Sequence, residues 1–274
     1  MPILLFLFSI FSITAQAHSK PQQVKTTHSK NLITACAEPW APYDYIEMGQ
    51  PTGIDTKIIS QVLTQLNVDF KILIVPWKIC WAMLKSGKAD MGLMVAKDKK
   101  RMPYVSYSEI PVLKANYVFF TNQKTKQEHD LKNCADLRKA NLKIGLVANN
   151  VYDPRLWKCL GQKPDTHNHK PDKHKEDKVV IDKTLEFSLK QLSWGGIQIA
   201  PVIKKIGLYS GKELGIKDLD FYPWTVYSKN FYATFSKKSH FKTRHYKNIQ
   251  DFQKDFDQAL SKFKKTAEFK KLIE

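Results

Sequence analysis

From residue 31 to residue 96 the apolar positions switch between two periods, and each switch marks an element. "NLITACA" (31–37) is a short apolar run that reads as a strand. Beyond Gly53, the residues Ile54, Ile58, Ile59, Val62, Leu63 and Leu66 recur at spacings of three and four, which predicts a helix with Asp55 placed to cap it. "VDFKILIV" sets Val68, Phe70, Ile72 and Ile74 on one face at period two, a strand. "PWKICWAMLKSGKAD" returns to helical spacing, with Trp77, Cys80, Trp81 and Leu84 sharing a face, Trp81 facing the core and Gly87 as the stop. "MGLMVA" is the next strand. This alternation predicts an α/β layer on a largely parallel sheet, whose ligands sit beyond the carboxyl ends of the strands. Those positions hold Glu38, Trp40 and Tyr43 after the first strand, Pro76 and Trp77 after the second, and Ala96 through Arg101 after the third.

A second unit of similar pattern begins near Leu131. "NCADLRKA" reads as a short helix with Asn133 as its cap, "LKIGLVA" as a strand, and "NNVYDPRLW" as the turn into another helix. "VVI" and "TLEFSLKQL" follow as strand and helix, and "GGIQIAPVI" as a strand in which Pro201 suits an edge. "FYPWTVYSKNFYATFSKK" is rich in β-formers, and Ile249, Phe252, Phe256, Leu260 and Phe263 mark a closing helix. The stretch 161–178, "GQKPDTHNHKPDKHKEDK", has almost no apolar residue and reads as a mobile loop. His167, His169 and His174 in it offer a weak metal-binding alternative to a solvated loop.

The first residues, "MPILLFLFSIFSITAQA", form an apolar run too short for a permanent span and end in the small-x-small pattern Ala15-Gln16-Ala17. They predict a signal peptide (1–17), a mature start at His18, a flexible N-terminus (18–30) and a periplasmic location. No Cys follows closely enough to take a lipid. Cys36, Cys80, Cys134 and Cys159 in an exported chain make disulfides plausible. Three connectivities are open. The pairing Cys36 with Cys80 and Cys134 with Cys159 keeps each bridge within one proposed lobe. The charge balance is 44 Lys plus Arg against 26 Asp plus Glu, a formal +18. The lysines are spread along the whole chain among acids, and no nucleic-acid motif accompanies them, so a nucleic-acid partner is not expected.

"EPWAPYDYIEMGQPTGIDTKII", "PWKICWAMLKSGKADMGLM" and "KKRMPYVSYSEIP" together resemble the extracytoplasmic solute-binding proteins of family 3, the type that delivers amino acids to ABC importers. The resemblance implies a type II periplasmic binding protein fold. Its first lobe would run over 31–115, its second over 116–228, and residues 229–274 would return to the first. Two hinge crossings are expected near 112–120 and 225–235. The resemblance gives Arg101 the ligand carboxylate, which a guanidinium meets with two parallel donors. It places Asn149, Asn150 and Tyr152 at a helix start on the second lobe, where Asn150 is also a candidate cap. Pro39 and Pro42 would stiffen the loop that presents Trp40 and Tyr43, with Trp77 and Ala96 beside them. Tyr43 and Trp40 have an alternative use as cover for the lobe's own core.

One departure stands out. Amino-acid binders of the family set an acid from the second lobe against the ligand ammonium, and this chain has Gln198 and Ile203-Lys204 in that stretch. Either Glu38 or Asp182 substitutes, or the ligand has no amino group. The expected behaviour is lobe closure around a small carboxylate-bearing solute by a monomer without cofactor, read by an ABC permease or a membrane sensor. Two rivals are a dehydratase-like enzyme using Glu38 or Asp182, and a basic envelope interaction protein. No Gly-x-Ser-x-Gly, His-Glu-x-x-His or phosphate loop supports an enzyme.

Overall fold

Parallel strands covered on both faces read as unbroken apolar runs, and β1 (Leu32–Ala37) is of this kind: every residue from Ile33 to Ala37 is buried. The computed structural model describes residues 32–148, 150, 152–162 and 178–274. The expected signal peptide and N-terminal tail, Asn149, and His167, His169 and His174 lie outside the described residues. β1 pairs in parallel with β4 (Asp69–Ile74) and β5 (Met91–Val95). Helices α1 (Ile54–Gln65) and α2 (Trp77–Ser86) make the crossovers, so the alternation legible in the sequence is the first lobe. Asp90 locks its far end. The Asp90 carboxylate accepts the Thr34 N–H (2.8 Å) and the Ser239 hydroxyl (2.5 Å), which ties β1 to the chain's return.

The start of α1 differs from expectation. Asp55 lies in the first turn, wholly buried, and accepts the Met94 N–H (3.1 Å) instead of capping the helix. Gly53 stands at the cap with no side chain to offer, and carbonyls of the mouth loop do the capping. The Ile54 N–H donates to the Pro42 carbonyl (2.9 Å) and the Asp55 N–H to the Tyr43 carbonyl (3.0 Å). Gly53 has a φ of 120°, and a Cβ there would sit 2.1 Å from the Tyr43 oxygen. Between mouth loop and helix the chain folds a hairpin the sequence reading did not contain: β2 (Tyr45–Glu47) and β3 (Gln50–Thr52). Met48 and Gly49, both at positive φ, form its two-residue turn.

The second lobe contains β8 (Ile144–Val147) in parallel with β9 (Val179–Asp182), the helices α4 (Cys134–Lys139), α5 (Pro154–Leu160), α6 (Leu185–Trp194) and α7 (Lys204–Glu213), and β10 (Ala200–Ile203). Asn133 caps α4 as expected. Its own core gathers Leu146, Leu156, Trp157, Tyr222 and Phe119. The helix α7 was not foreseen, because two glycines interrupt its apolar stripe. They have a packing reason. A Cβ at Gly207 would lie 2.2 Å from the Phe120 ring, and one at Gly211 would lie 2.4 Å from Leu219, so their bareness lets α7 lie flat on the strands beneath.

Two long strands join the lobes. β7 (Leu113–Asn122) and β12 (Tyr227–Ser236) pair antiparallel from Tyr227 opposite Tyr117 to Phe231 opposite Leu113. β12 then continues beside β5, and β7 continues beside β10, so one sheet of order β10-β7-β12-β5-β1-β4 runs through both lobes. Pro201 sits on the terminal strand of this path, where a missing N–H is tolerated. The closing helix α8 (Ile249–Phe263) buries Ile249, Phe252, Phe256, Leu260 and Phe263, the residues that its spacing marked. Disulfides join Cys36 to Cys80 and Cys134 to Cys159, one within each lobe.

The contact at Gly53 yields a stability prediction. Gly53→Ala must displace the mouth loop from α1 and should cost about 2–3 kcal/mol, read as a drop of several degrees in the thermal unfolding midpoint. An unchanged midpoint would show that the loop is not held this closely.

Candidate functional site: a cleft between the lobes

The mouth loop is a tight turn in which the Trp40 N–H donates to the Asp44 carbonyl (2.6 Å) and the Tyr43 N–H to the Trp40 carbonyl (2.9 Å). That turn sends its two aromatics to opposite sides. Trp40 faces the cleft, with its ring edge-on to Phe231 of β12 at 5.4 Å. Tyr43 is 4% exposed and packs into the core of the first lobe with Ile58 and Ile59. The sequence reading placed Tyr43 in the site; its core alternative is the one observed.

The cleft has a volume of about 630 Å³. Glu38, Trp40, Trp77, Ala96 and Arg101 line it from the first lobe, and Asn150 and Tyr152 from the second, together with the apolar group Val147, Leu185, Val202, Ile203 and Ile206. Tyr117, Lys229 and Phe231 line it from the crossing strands.

Arg101 is placed by a turn after β5 in which its N–H donates to the Asp98 carbonyl (3.0 Å). Its guanidinium lies over the Trp77 ring at 4.7 Å and is 5.9 Å from that of Trp81. The two indoles stack at 5.9 Å and 19°. Such a contact is worth about 0.5–2 kcal/mol and holds the charge in one orientation. Trp81, expected in the core, is only half-buried and forms the second layer of this platform. Nη1 of Arg101 donates to the Ala96 carbonyl (3.3 Å), and its Nε lies 4.0 Å from the partly exposed Asp98 carboxylate. The guanidinium is therefore oriented from within the protein without a tight carboxylate partner. The Ala96 carbonyl also accepts the Tyr107 hydroxyl (3.4 Å).

On the second lobe, Asn150 does not cap α5. Asp153 does, through the Arg155 N–H (2.9 Å), and with Pro154 at the first helical position that helix end has few N–H groups left for an anion. The Tyr152 hydroxyl accepts the Val147 N–H (2.8 Å). Asp182 is 2% exposed, bonds to Gln191 and does not line the cleft, so it is not the acid that replaces the missing one. Glu186 and Glu213 do line it, a pair the sequence reading missed because both look like ordinary solvated helix residues. Burial raises the Glu38 carboxyl above its ordinary range. Across the mouth, Tyr45 of the hairpin meets Tyr209 of α7 with ring centroids 5.8 Å apart.

Beneath the first-lobe wall lie two carboxylates, Asp44 and Asp55, both at 0% exposure. Asp44 accepts the Thr56 hydroxyl (2.7 Å), and Asp55 holds Met94, a cleft-lining residue at a φ of 49°. One oxygen on each, Oδ2 of Asp44 and Oδ1 of Asp55, has no hydrogen-bond partner among the described residues. Burial pushes the Asp44 carboxyl up to about 7. Burial and the Asp44 charge raise Asp55 as well. Protonation supplies a donor where the fold offers none.

Comparison with known proteins places this geometry. The family model of bacterial extracellular solute-binding proteins, family 3, matches residues 32–274. No curated protein matches the sequence. Among solved structures, the arginine-, lysine-, histidine-binding protein ArtJ of Geobacillus stearothermophilus is 19% identical, with a TM-score of 0.59 over 88% of this chain and 93% of that one. Substrate binding domain 2 of Lactococcus lactis GlnP, solved in an open conformation, is 15% identical, with a TM-score of 0.66 over 90% and 95%. A histidine kinase sensor domain with similarity to periplasmic binding proteins is 16% identical, with a TM-score of 0.60 over 88% and 94%. At these identities the likeness is one of fold, the type II periplasmic binding protein fold.

The buried acid pair carries a pH prediction. A folded carboxyl that protonates more readily than its unfolded counterpart, near 3.8, adds stability that is complete below that value and is lost as pH rises through about 7. The unfolding midpoint should fall between about pH 4 and about pH 7 and level off above that, and Asp44→Asn, which stays neutral, should flatten that fall. Equal slopes for wild type and variant would remove Asp44 from the account.

Proposed function

Because the chain belongs to the bacterial extracellular solute-binding proteins of family 3, we propose that it captures a small carboxylate-bearing solute, an amino acid or a related polar organic acid, by closing its lobes. Capture takes place in the periplasm, for delivery to an ABC importer or a membrane sensor. The observation that carries this reading is Arg101. A guanidinium held over an indole platform, without a tight carboxylate partner, faces a cleft whose opposite wall combines the apolar group Val147, Leu185, Val202, Ile203 and Ile206 with the polar Asn150, Tyr152, Glu186 and Glu213. A carboxylate entering there finds a charge that is already oriented, and little further ordering is needed on binding. Trp40, fixed edge-on to Phe231, gives the ligand body a rigid face.

Closure follows from the crossings. Contacts made from both lobes favour the closed state by their differential affinity, and the strands β7 and β12 are the elements that absorb the rotation. Solved structures of this fold include a histidine kinase sensor domain and substrate-binding domains, which supports either kind of reader. Binding without turnover is the reading for this cleft because the family is one of solute-binding proteins; of the two acids considered for an enzyme, Asp182 is sealed away from the cleft and Glu38 lines it. Among the described residues no helix is long and apolar enough to cross a membrane.

Thermal unfolding in the presence of amino acids and small organic acids tests the proposal. A ligand at about 100 times its Kd adds about 2.7 kcal/mol, so one compound class should raise the midpoint in a saturable manner. Arg101→Ala should weaken binding of that compound at least about 30-fold, the equivalent of about 2 kcal/mol. Unchanged affinity in Arg101→Ala would refute the carboxylate assignment. Stabilisation by polyanions alone, falling steeply with salt, would instead favour a basic interaction protein.

A further inference from the structure

Lys229 is a cleft residue that the family resemblance did not call for. It lies on β12 two residues before Phe231, and both line the cleft, so strand alternation sends them to the same side. Its neighbour across the ladder is Ala115, which brings no polar group. The Lys229 ammonium lies 5.9 Å from the Phe231 ring centroid. Among the described residues it forms no ion pair within 4.0 Å. Asp153, an acid whose charge reaches it, is already engaged by Arg155 through contacts of 2.7 and 2.8 Å. Burial lowers the Lys229 pKa, and the nearby charge of Arg101 lowers it further. Two cations thus repel one another in a half-buried space; Lys229 has no close carboxylate, and Arg101 has only the partly exposed Asp98, 4.0 Å from its Nε.

We propose that Lys229 is a second anion-binding group of the cleft, and that the ligand carries two anionic groups, one met by Arg101 and one by Lys229. The ligand class is then a dicarboxylate, with or without an amino group. This rests on the reading of the cleft as a carboxylate-binding site and narrows it. A ligand with a single carboxylate leaves one of two adjacent positive charges without a counter-ion as the cleft closes, whereas a dianion neutralises both. Glu38, Glu186 and Glu213 also line the cleft, but none forms an ion pair with Lys229 or Arg101, so they do not take the ligand's place. Where the dicarboxylate carries an amino group, they are the acids available to it. The division of labour suits the two side chains. Arg101 presents a planar fork fixed by indoles, and Lys229 a point charge on a flexible stem that adapts to the distance between the two groups.

The test is calorimetric titration of the mature protein with matched pairs: L-glutamate against L-glutamine, L-aspartate against L-asparagine, and the straight-chain dicarboxylates from malonate to adipate against butanoate. Wild type should prefer one dianion over its monoanionic counterpart by at least about tenfold. Lys229→Met should abolish that preference, weakening binding of the dianion at least about tenfold more than binding of its monoanionic counterpart, and Lys229→Arg should restore most of it. Thermal unfolding of both variants shows whether each folds; should Lys229→Met fail to fold, Lys229→Gln takes its place. If monocarboxylates bind in an Arg101-dependent manner and Lys229→Met leaves every ratio unchanged, the role of Lys229 is overturned while the broader function stands. If no carboxylate binds at all, both fall together.

Discussion

The antiparallel pairing of β7 with β12 is the constraint on which the rest of the molecule depends. The two crossings run side by side in register, with Tyr117 stacked on Tyr227 at 4.3 Å and 16°. Hydrogen-bonded to each other, they let the lobes rotate about a common ribbon but not part from it. Each wall of the cleft is indexed to that ribbon. Trp40 reaches it through Phe231, and α7 lies against it where Gly207 accommodates Phe120. The same strand that joins the lobes also carries Lys229 into the cleft, so on the proposed reading hinge and binding surface are one object.

Charge in this protein acts at three depths. Most of the formal excess of +18 lies on lysines spread over the surface, where it sets a general field and little else. In the cleft, Arg101 and Lys229 are half-buried, so their charges are screened less and an anion is worth more to them than it would be in water. Deepest are Asp44 and Asp55, which burial pushes towards the neutral form. That last pair links the mouth loop to the cleft floor, since Asp44 follows Trp40 in the turn and Asp55 fixes the backbone of Met94. Its protonation state bears on the wall that Trp40 and Met94 form.

Legibility in the sequence followed the strength of the periodic signal. The first lobe was readable because Ile54 to Leu66 and Val68 to Ile74 have clean periods, and α8 because its five apolar positions have no interruption. Arg101 and Trp40 emerged from a motif in which several residue types coincide. What escaped had a competing cause. The hairpin at Tyr45 to Thr52 rests on Met48 at positive φ, a conformation that its side chain does not advertise. The helix α7 hides behind Gly207 and Gly211, which weaken helical propensity for the sake of close packing. Lys229 is one of 44 Lys and Arg residues, and only its half-buried place among the residues that line the cleft, which tertiary structure decides, distinguishes it from a solvated lysine. Tyr43 and Trp40 are three residues apart in one loop, and the turn between them, not their composition, decides that one is core and the other cleft.

The missing acid was expected in the stretch from Gln198 to Lys204, and Gln198, which stands at the strand's acidic position, is put to another use. The Gln198 Oε1 accepts the Lys143 N–H (2.7 Å), and its Nε2 donates to the Gly195 carbonyl (3.3 Å), so the side chain joins the entry of β8 to the end of α6. A carboxylate there has no donor for Gly195, and Gln198 does not line the cleft. The second lobe instead presents Val202, Ile203 and Ile206, a dry surface, with Glu186 and Glu213 as its acids in the cleft. On the proposed reading the charged contacts come from the first lobe and the ribbon, and the second lobe, with Asn150 and Tyr152 as further polar groups, closes over them mainly by excluding water. Exclusion of water in turn strengthens the attraction of Arg101 and Lys229 for an anion, because the same charges act through a medium of lower polarity once the cleft is shut. On the proposed reading a lobe without a matched ammonium partner can still select its ligand, since closing a wall that is apolar around Val202, Ile203 and Ile206 over two cations, of which only Arg101 has a carboxylate within 4.0 Å, is favourable only when the solute brings the charge that neutralises them.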